Sequence, residues 1–142
     1  MDAIEDRISE LFWERYNCSQ IMMLLSLEMR GMENPELVRC MNGLSYGLHS
    51  RHVCGTMTAA CCLLASYGDT DRNTEAASAF LPTKVIVKSF VHWFEKQFGS
   101  LLCSELIGSD LTKISEICPG IIRDSFEKCM DILDENGIDP EL

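Results

Sequence analysis

Four of the eight cysteines in this 142-residue chain, Cys18, Cys54, Cys103 and Cys118, are expected at or within the first turn of a helix. A helix start concentrates unpaired backbone N–H groups and partial positive charge, which favours a thiolate and solvates a bound anion. Four such ends brought together would suit an iron–sulfur cluster, whose thiolate and sulfide charge calls for hydrogen-bond donors. The same thiols could instead cycle between dithiol and disulfide, or hold zinc. His49 and His52, five and two residues before Cys54, read first as loop histidines facing water or capping helices, with zinc ligation or donation from behind the ligands as the alternatives. Cys61 lies seven residues beyond Cys54, nearly two helical turns, and is expected to share its face. Cys40, Cys61, Cys62 and Cys129 fall inside helices on largely apolar faces and read first as small buried hydrophobes.

The spacings 36, 49 and 15 between the four cysteines match no linear ferredoxin or zinc-finger motif. No Cys-x-x-Cys-His occurs, so no covalent c-type haem is expected. No phosphate loop or dinucleotide fingerprint occurs either, so no nucleotide cofactor is expected. A net charge of −10 argues against nucleic acid as a partner and leaves docking to a protein redox partner open. The acidic N-terminus does not read as a secretory signal, and no apolar run approaches the length of a membrane span. Cysteine-rich chains of that kind more often bind metal or do redox chemistry than build structural disulfides, so a cytoplasmic location is expected.

The elements that must carry these cysteines are helical throughout. Ile4, Ile8, Leu11 and Phe12 repeat at helical spacing over residues 2–16. Asn17, with Gln20 three residues on, reads as a capping box that starts a second helix at Cys18, running to about Arg30 and stopped by Gly31. One continuous helix over 2–30 is the alternative. Ile21-Met22-Met23-Leu24-Leu25 is apolar nearly all round, as in a central helix. Asn34-Pro35 opens a short helix ending at Asn42-Gly43. A glycine-bearing loop covers or flanks Cys54, and a helix then runs from about Val53 to Tyr67. Residues 69–79 read as an exposed connection. Pro82 opens a helix through Phe98, which bears His92 as a partly buried residue. Ser100 is expected to cap a short helix with Cys103 in its first turn, and Cys118-Pro119 to precede the last helix. Nothing alternates like a strand. The expectation is a single all-α domain over 1–142, a compact bundle of five or six helices.

Cys18, Cys54-Gly55-Thr56-Met57-Thr58-Ala59, Cys103-Ser104-Glu105-Leu106 and Cys118 resemble the pattern of the C_GCAxxG_C_C family of putative redox-active proteins. Thr56 stands where that motif has alanine, and Ala59 where it has glycine. The resemblance implies a redox role for Cys18, Cys54, Cys103 and Cys118. Gly55 is placed with them as a candidate cofactor-binding residue. A metal-free or zinc-bound interaction domain is the non-catalytic alternative.

Overall fold

A computed structural model describes residues 3–68 and 83–141. Among the described residues it holds seven α-helices: α1 (Ala3–Trp13), α2 (Cys18–Met29), α3 (Pro35–Met41), α4 (Gly55–Ala65), α5 (Thr83–Phe98), α6 (Cys103–Ile107) and α7 (Ile114–Glu135). The all-α expectation holds, and the short α3 and α6 bring the count to seven. The connection expected at 69–79 and the start expected at Pro82 lie outside the described residues. None of the described helices is long and apolar enough to cross a membrane.

The break before Cys18 is real. Arg15 takes a left-handed conformation (φ 74°), and the Tyr16 N–H turns back to the Leu11 carbonyl at 3.1 Å. That is a Schellman-type end to α1 with arginine where glycine is usual. Asn17 is extended, and its N–H is taken by the Gln20 side chain at 3.1 Å. Gly31 closes α2 in the same way, with Met32 N–H on the Leu27 carbonyl at 2.9 Å.

α2 is the central helix: Ile21, Met22, Met23, Leu25 and Leu27 are all buried. It packs on α4, which in turn packs on α5 and α7, while α1 lies along α7. Phe90 and Phe94 of α5 are fully buried, and the Phe94 and Phe98 ring centroids stand 4.7 Å apart.

Two starts differ from the sequence reading. Ser100 does not cap α6; its hydroxyl accepts from the Leu102 N–H at 3.0 Å, and Leu102 is the residue before the helix. The last helix begins at Ile114, so Pro119 sits inside it and Cys118 is its fifth residue rather than the residue before its start. The lead-in is Asp110, whose carboxylate accepts from the Thr112 N–H at 3.0 Å and shapes the turn Leu111–Lys113. Proline is tolerated there because it costs one helical hydrogen bond, to the Ser115 carbonyl, close to the helix start.

Candidate redox site

Three of the four cysteines do stand at helix starts. Cys18 is the first residue of α2, Cys103 the first of α6, and Cys54 is the extended residue that caps α4. Backbone pairing fixes two of these starts side by side. The Cys54 N–H donates to the Leu101 carbonyl at 2.7 Å, and the Cys103 N–H donates to the His52 carbonyl at 2.6 Å, around an isolated antiparallel bridge between Val53 and Leu102. The start of α4 is pressed equally closely onto the start of α2. A Cβ on Gly55 would lie 2.6 Å from the Leu44 carbonyl oxygen and 3.1 Å from the Cys18 Sγ. Only glycine allows that approach.

Cys118 completes the set from α7. Cys18, Cys54, Cys103 and Cys118 line one cavity of about 20 Å³, together with Tyr46, Gly55 and Thr56 and the apolar side chains of Ile107, Ile114 and Ile121. That is room for about one water molecule. Cys18, Cys54 and Cys103 are 5%, 8% and 7% exposed, and Cys118 is half-buried. All eight cysteines are free thiols.

Electrostatics follows from this burial. Loss of solvent raises the Cys18 thiol, opposed by the Tyr46 and Ser19 backbone and the Thr56 side chain, which favour its thiolate. Burial pushes Cys54 up to about 11, against hydrogen bonds from the Met57 and Thr56 backbone. Cys118 is pushed up to about 12, first by burial and then by negative charge on Cys18, Cys54 and Cys103, while Arg51 lowers it. With such values roughly one Cys54 in ten thousand is a thiolate at pH 7. Removing a proton from one member makes removal from the next harder. A bound cation reverses that order, because a coordinating thiol is deprotonated outright.

His49 and His52 are exposed loop histidines, as the first reading has them, and neither they nor Cys61 lines the cavity. His49 is exposed and its Nε2 pairs with the Asn42 carbonyl oxygen at 2.7 Å. The exposed His52 serves through its carbonyl, not its ring. Cys61 does not line the cavity; its thiol donates to the Met57 Sδ at 3.8 Å. Cys40 and Cys62 are exposed and His92 is exposed on α5, all three against expectation, whereas Cys129 is fully buried as a core residue. Among the described residues no group of three or more His, Cys, Asp or Glu side chains is placed to hold a metal ion. A groove of about 410 Å³ along α2 and α3 is larger than the cysteine cavity but is lined by no cysteine or histidine.

Sequence reasoning missed Tyr46 and gave no role to the Thr56 hydroxyl. Thr56 was visible only as a departure from a motif, yet its side chain is the one hydroxyl acting on Cys18. Tyr46 carried no signal beyond its place in a glycine-bearing loop. Its hydroxyl donates to the Asn17 side chain at 3.0 Å, and Asn17 donates in turn to Asn42 at 2.7 Å, fastening the loop to the start of α2.

The four cysteines, three at helix starts and Cys118 within α7, line one cavity. Residues 16–132, a span that includes all four cysteines, match the family described as Putative redox-active protein (C_GCAxxG_C_C), and the chain belongs to that family. No curated protein and no solved structure matches the chain.

Proposed function

We propose that Cys18, Cys54, Cys103 and Cys118 form a redox centre that holds an iron–sulfur cluster and exchanges electrons with a protein redox partner. The supporting observation is that four thiols from four separate elements line a single buried cavity with otherwise largely apolar walls. The donor types match: four cysteine sulfurs, with backbone N–H groups at Cys18 and Cys54, are the ligands and hydrogen bonds that such a cluster takes. The sulfurs are not placed as a metal site here, and the cavity of about 20 Å³ would have to open to admit the cluster. When bound, the cluster supplies one-electron transfer at a potential set by burial and hydrogen bonding. The chain's own part is to hold the thiolates, exclude water through Ile107, Ile114 and Ile121, and direct N–H dipoles at the sulfurs. Exchange with an external disulfide is a poorer match, because Cys18, Cys54 and Cys103 are shielded from an incoming partner, and burial disfavours the thiolate of Cys18 and Cys54.

The small cavity favours one further reading. Thiols pressed into about 20 Å³ are well placed to join. Two of them would then lose two protons and two electrons to an acceptor and form one S–S bond. Anaerobic purification separates the two readings. The cluster reading expects visible absorption with iron and sulfide in the protein, lost in Cys54→Ser and Cys118→Ser and retained in Cys40→Ser. Colourless protein that takes up neither iron nor sulfide on reconstitution overturns it. A reversible two-electron loss of thiols, located by mass spectrometry within the same four residues, then establishes the disulfide.

A further inference from the structure

Tyr46 stands between the four cysteines and the solvent. It lines the cysteine cavity and also an outer groove of about 370 Å³, whose other walls are Ser9, Phe12, Trp13, Ile114, Ser115 and Pro119. Ile114 is likewise common to both hollows, so Tyr46 and Ile114 together form the partition between them. The grooves along α2 and α3, between α5 and α7, and on α5 share no lining residue with the cysteine cavity. The outer groove meets solvent at Trp13, which is 88% exposed. In a chain whose residues are 24% charged, none of those lining this groove bears a charge, so it receives uncharged molecules more readily than ions.

The chain on either side of Tyr46 is fixed. The fully buried Ser45 shares a 2.5 Å hydrogen bond with the fully buried Ser19 of α2. Gly47 packs so closely that a Cβ on it would lie 2.5 Å from the His52 nitrogen. Tyr46 itself has a left-handed backbone (φ 53°), which a residue with a Cβ holds only where its surroundings enforce it. The ring is less constrained. Its hydroxyl donates to the Asn17 side chain at 3.0 Å, and its edge meets the exposed His49 with ring centroids 6.0 Å apart. Water can replace the bond to Asn17 at so superficial a position, so the ring can turn about its side-chain bonds while the backbone stays in place. A cavity of about 20 Å³ admits nothing larger than a water molecule without such a movement.

We propose that Tyr46 is the gate of the four-cysteine centre and that the groove beside Trp13 is its entrance. With its hydroxyl on Asn17 the ring closes the cavity; with that bond released it admits small, uncharged molecules to the sulfurs. The proposal rests on the reading of these cysteines as one centre, but its test needs neither iron nor a redox partner.

The test alkylates the full-length, reduced, metal-free protein and its Tyr46→Ala, Tyr46→Phe and Ser115→Phe variants with two neutral reagents of different size, iodoacetamide and its N-benzyl derivative. Both attack the same thiolate, so the ratio of their rates at one cysteine cancels the thiolate fraction and reports the width of its access. Measured against the exposed Cys40, Cys18 and Cys118 of the wild type are expected to prefer the small reagent. Tyr46→Ala is expected to weaken that preference at least threefold, and Tyr46→Phe, which lacks only the bond to Asn17, to fall between it and the wild type. Ser115→Phe, which fills the entrance, is expected to strengthen it at least threefold. Cys129, at 0% exposure, reports global opening and is expected to stay unlabelled throughout. An unchanged preference in Tyr46→Ala overturns the proposal. A preference lost only in step with labelling of Cys129 also overturns it, because access then comes from unfolding. If Tyr46→Ala does not fold, an unchanged preference in Ser115→Phe overturns it. Failure of iron to bind leaves these ratios untouched, so loss of the cluster reading and loss of the gate are told apart.

Discussion

Adding one methyl group at Gly55 and the same group at Gly120 should move stability in opposite directions. At Gly55 the new Cβ would meet the Leu44 carbonyl oxygen at 2.6 Å, with the Ser45 Cα and the Cys18 Sγ both at 3.1 Å. Two of these three atoms are backbone, so relief requires the start of α4 to move away from the loop and from α2. Overpacking of that kind costs roughly 1–3 kcal/mol, against at most about 1 kcal/mol gained from the better helix former. The net loss is about 1–2 kcal/mol, which for a chain of this length lowers Tm by roughly 4–7 °C. Gly120 lies inside α7 with no atom within 4 Å of the added group. There alanine removes unfolded-state freedom without a clash and should gain about 0.5–1 kcal/mol, or roughly 2–4 °C. Thermal unfolding followed by circular dichroism under reducing conditions reads both. Gly55→Ala melting at or above wild type would refute the close packing of the two helix starts. On the proposed cluster reading, the same variant should also retain less iron, because the displaced neighbour includes the Cys18 sulfur, whereas Gly120→Ala should not.

Stability of the reduced, metal-free protein should be level from about pH 6 to 8 and then fall as pH rises toward 12. The thiols of Cys54 and Cys61 are raised to about 11 and that of Cys118 to about 12 in the fold, so the native state holds protons that the unfolded chain releases from about pH 9. The well-buried Cys54 alone should account for about 2 kcal/mol of that loss, read by urea titrations at pH 7, 9 and 10; a rise in stability with pH would reverse the sign argued here. Under native conditions a neutral alkylating agent should label the exposed Cys40 and Cys62 first, and Cys129, at 0% exposure, only on unfolding. Peptide mapping that found Cys129 modified early would place it at the surface. Phe94→Ala should cost about 3–5 kcal/mol through the cavity it leaves beside Phe90 and Phe98. Trp13→Ala, at a side chain 88% exposed, should cost less than about 0.5 kcal/mol in the same denaturant titration.

Local chemistry was legible in the sequence wherever a cap or a stop spoke for itself. Asn17 with Gln20, Asn34 with Pro35, and Gly31 each placed a boundary, because their signals act within four residues. Cys18 inherited its helix-start position from such a boundary, whereas Ser100, read as the cap before Cys103, is not one. Cys118 did not, because Pro119 imitates the first residue of a helix when the true lead-in is the Asp110–Thr112 turn. Orientation was harder to read than position. Cys40 and Cys62 sit in apolar company along the chain and still face solvent, because which side of a helix is covered depends on neighbours distant in sequence. Tyr46 escaped for the same reason: it becomes meaningful only when the loop 42–52 is folded back on the start of α2.

The wide spacing of the four cysteines has a consequence for how the protein is made. A zinc knuckle gathers its ligands from neighbouring residues and can be filled while the chain is still leaving the ribosome. Here the last cysteine is Cys118, and the first three are brought together only by long-range packing of α2, α4 and α6. The nascent chain therefore offers no binding site, and any delivery machinery must meet a chain that has already folded. If the proposed cluster fills such a site, it weights the balance toward the native state by mass action, less whatever metal the cysteines of the unfolded chain bind. On the proposed cluster reading, a cell starved of iron would accumulate the folded, empty form, whose turnover by proteases would follow its own stability and not that of the filled protein.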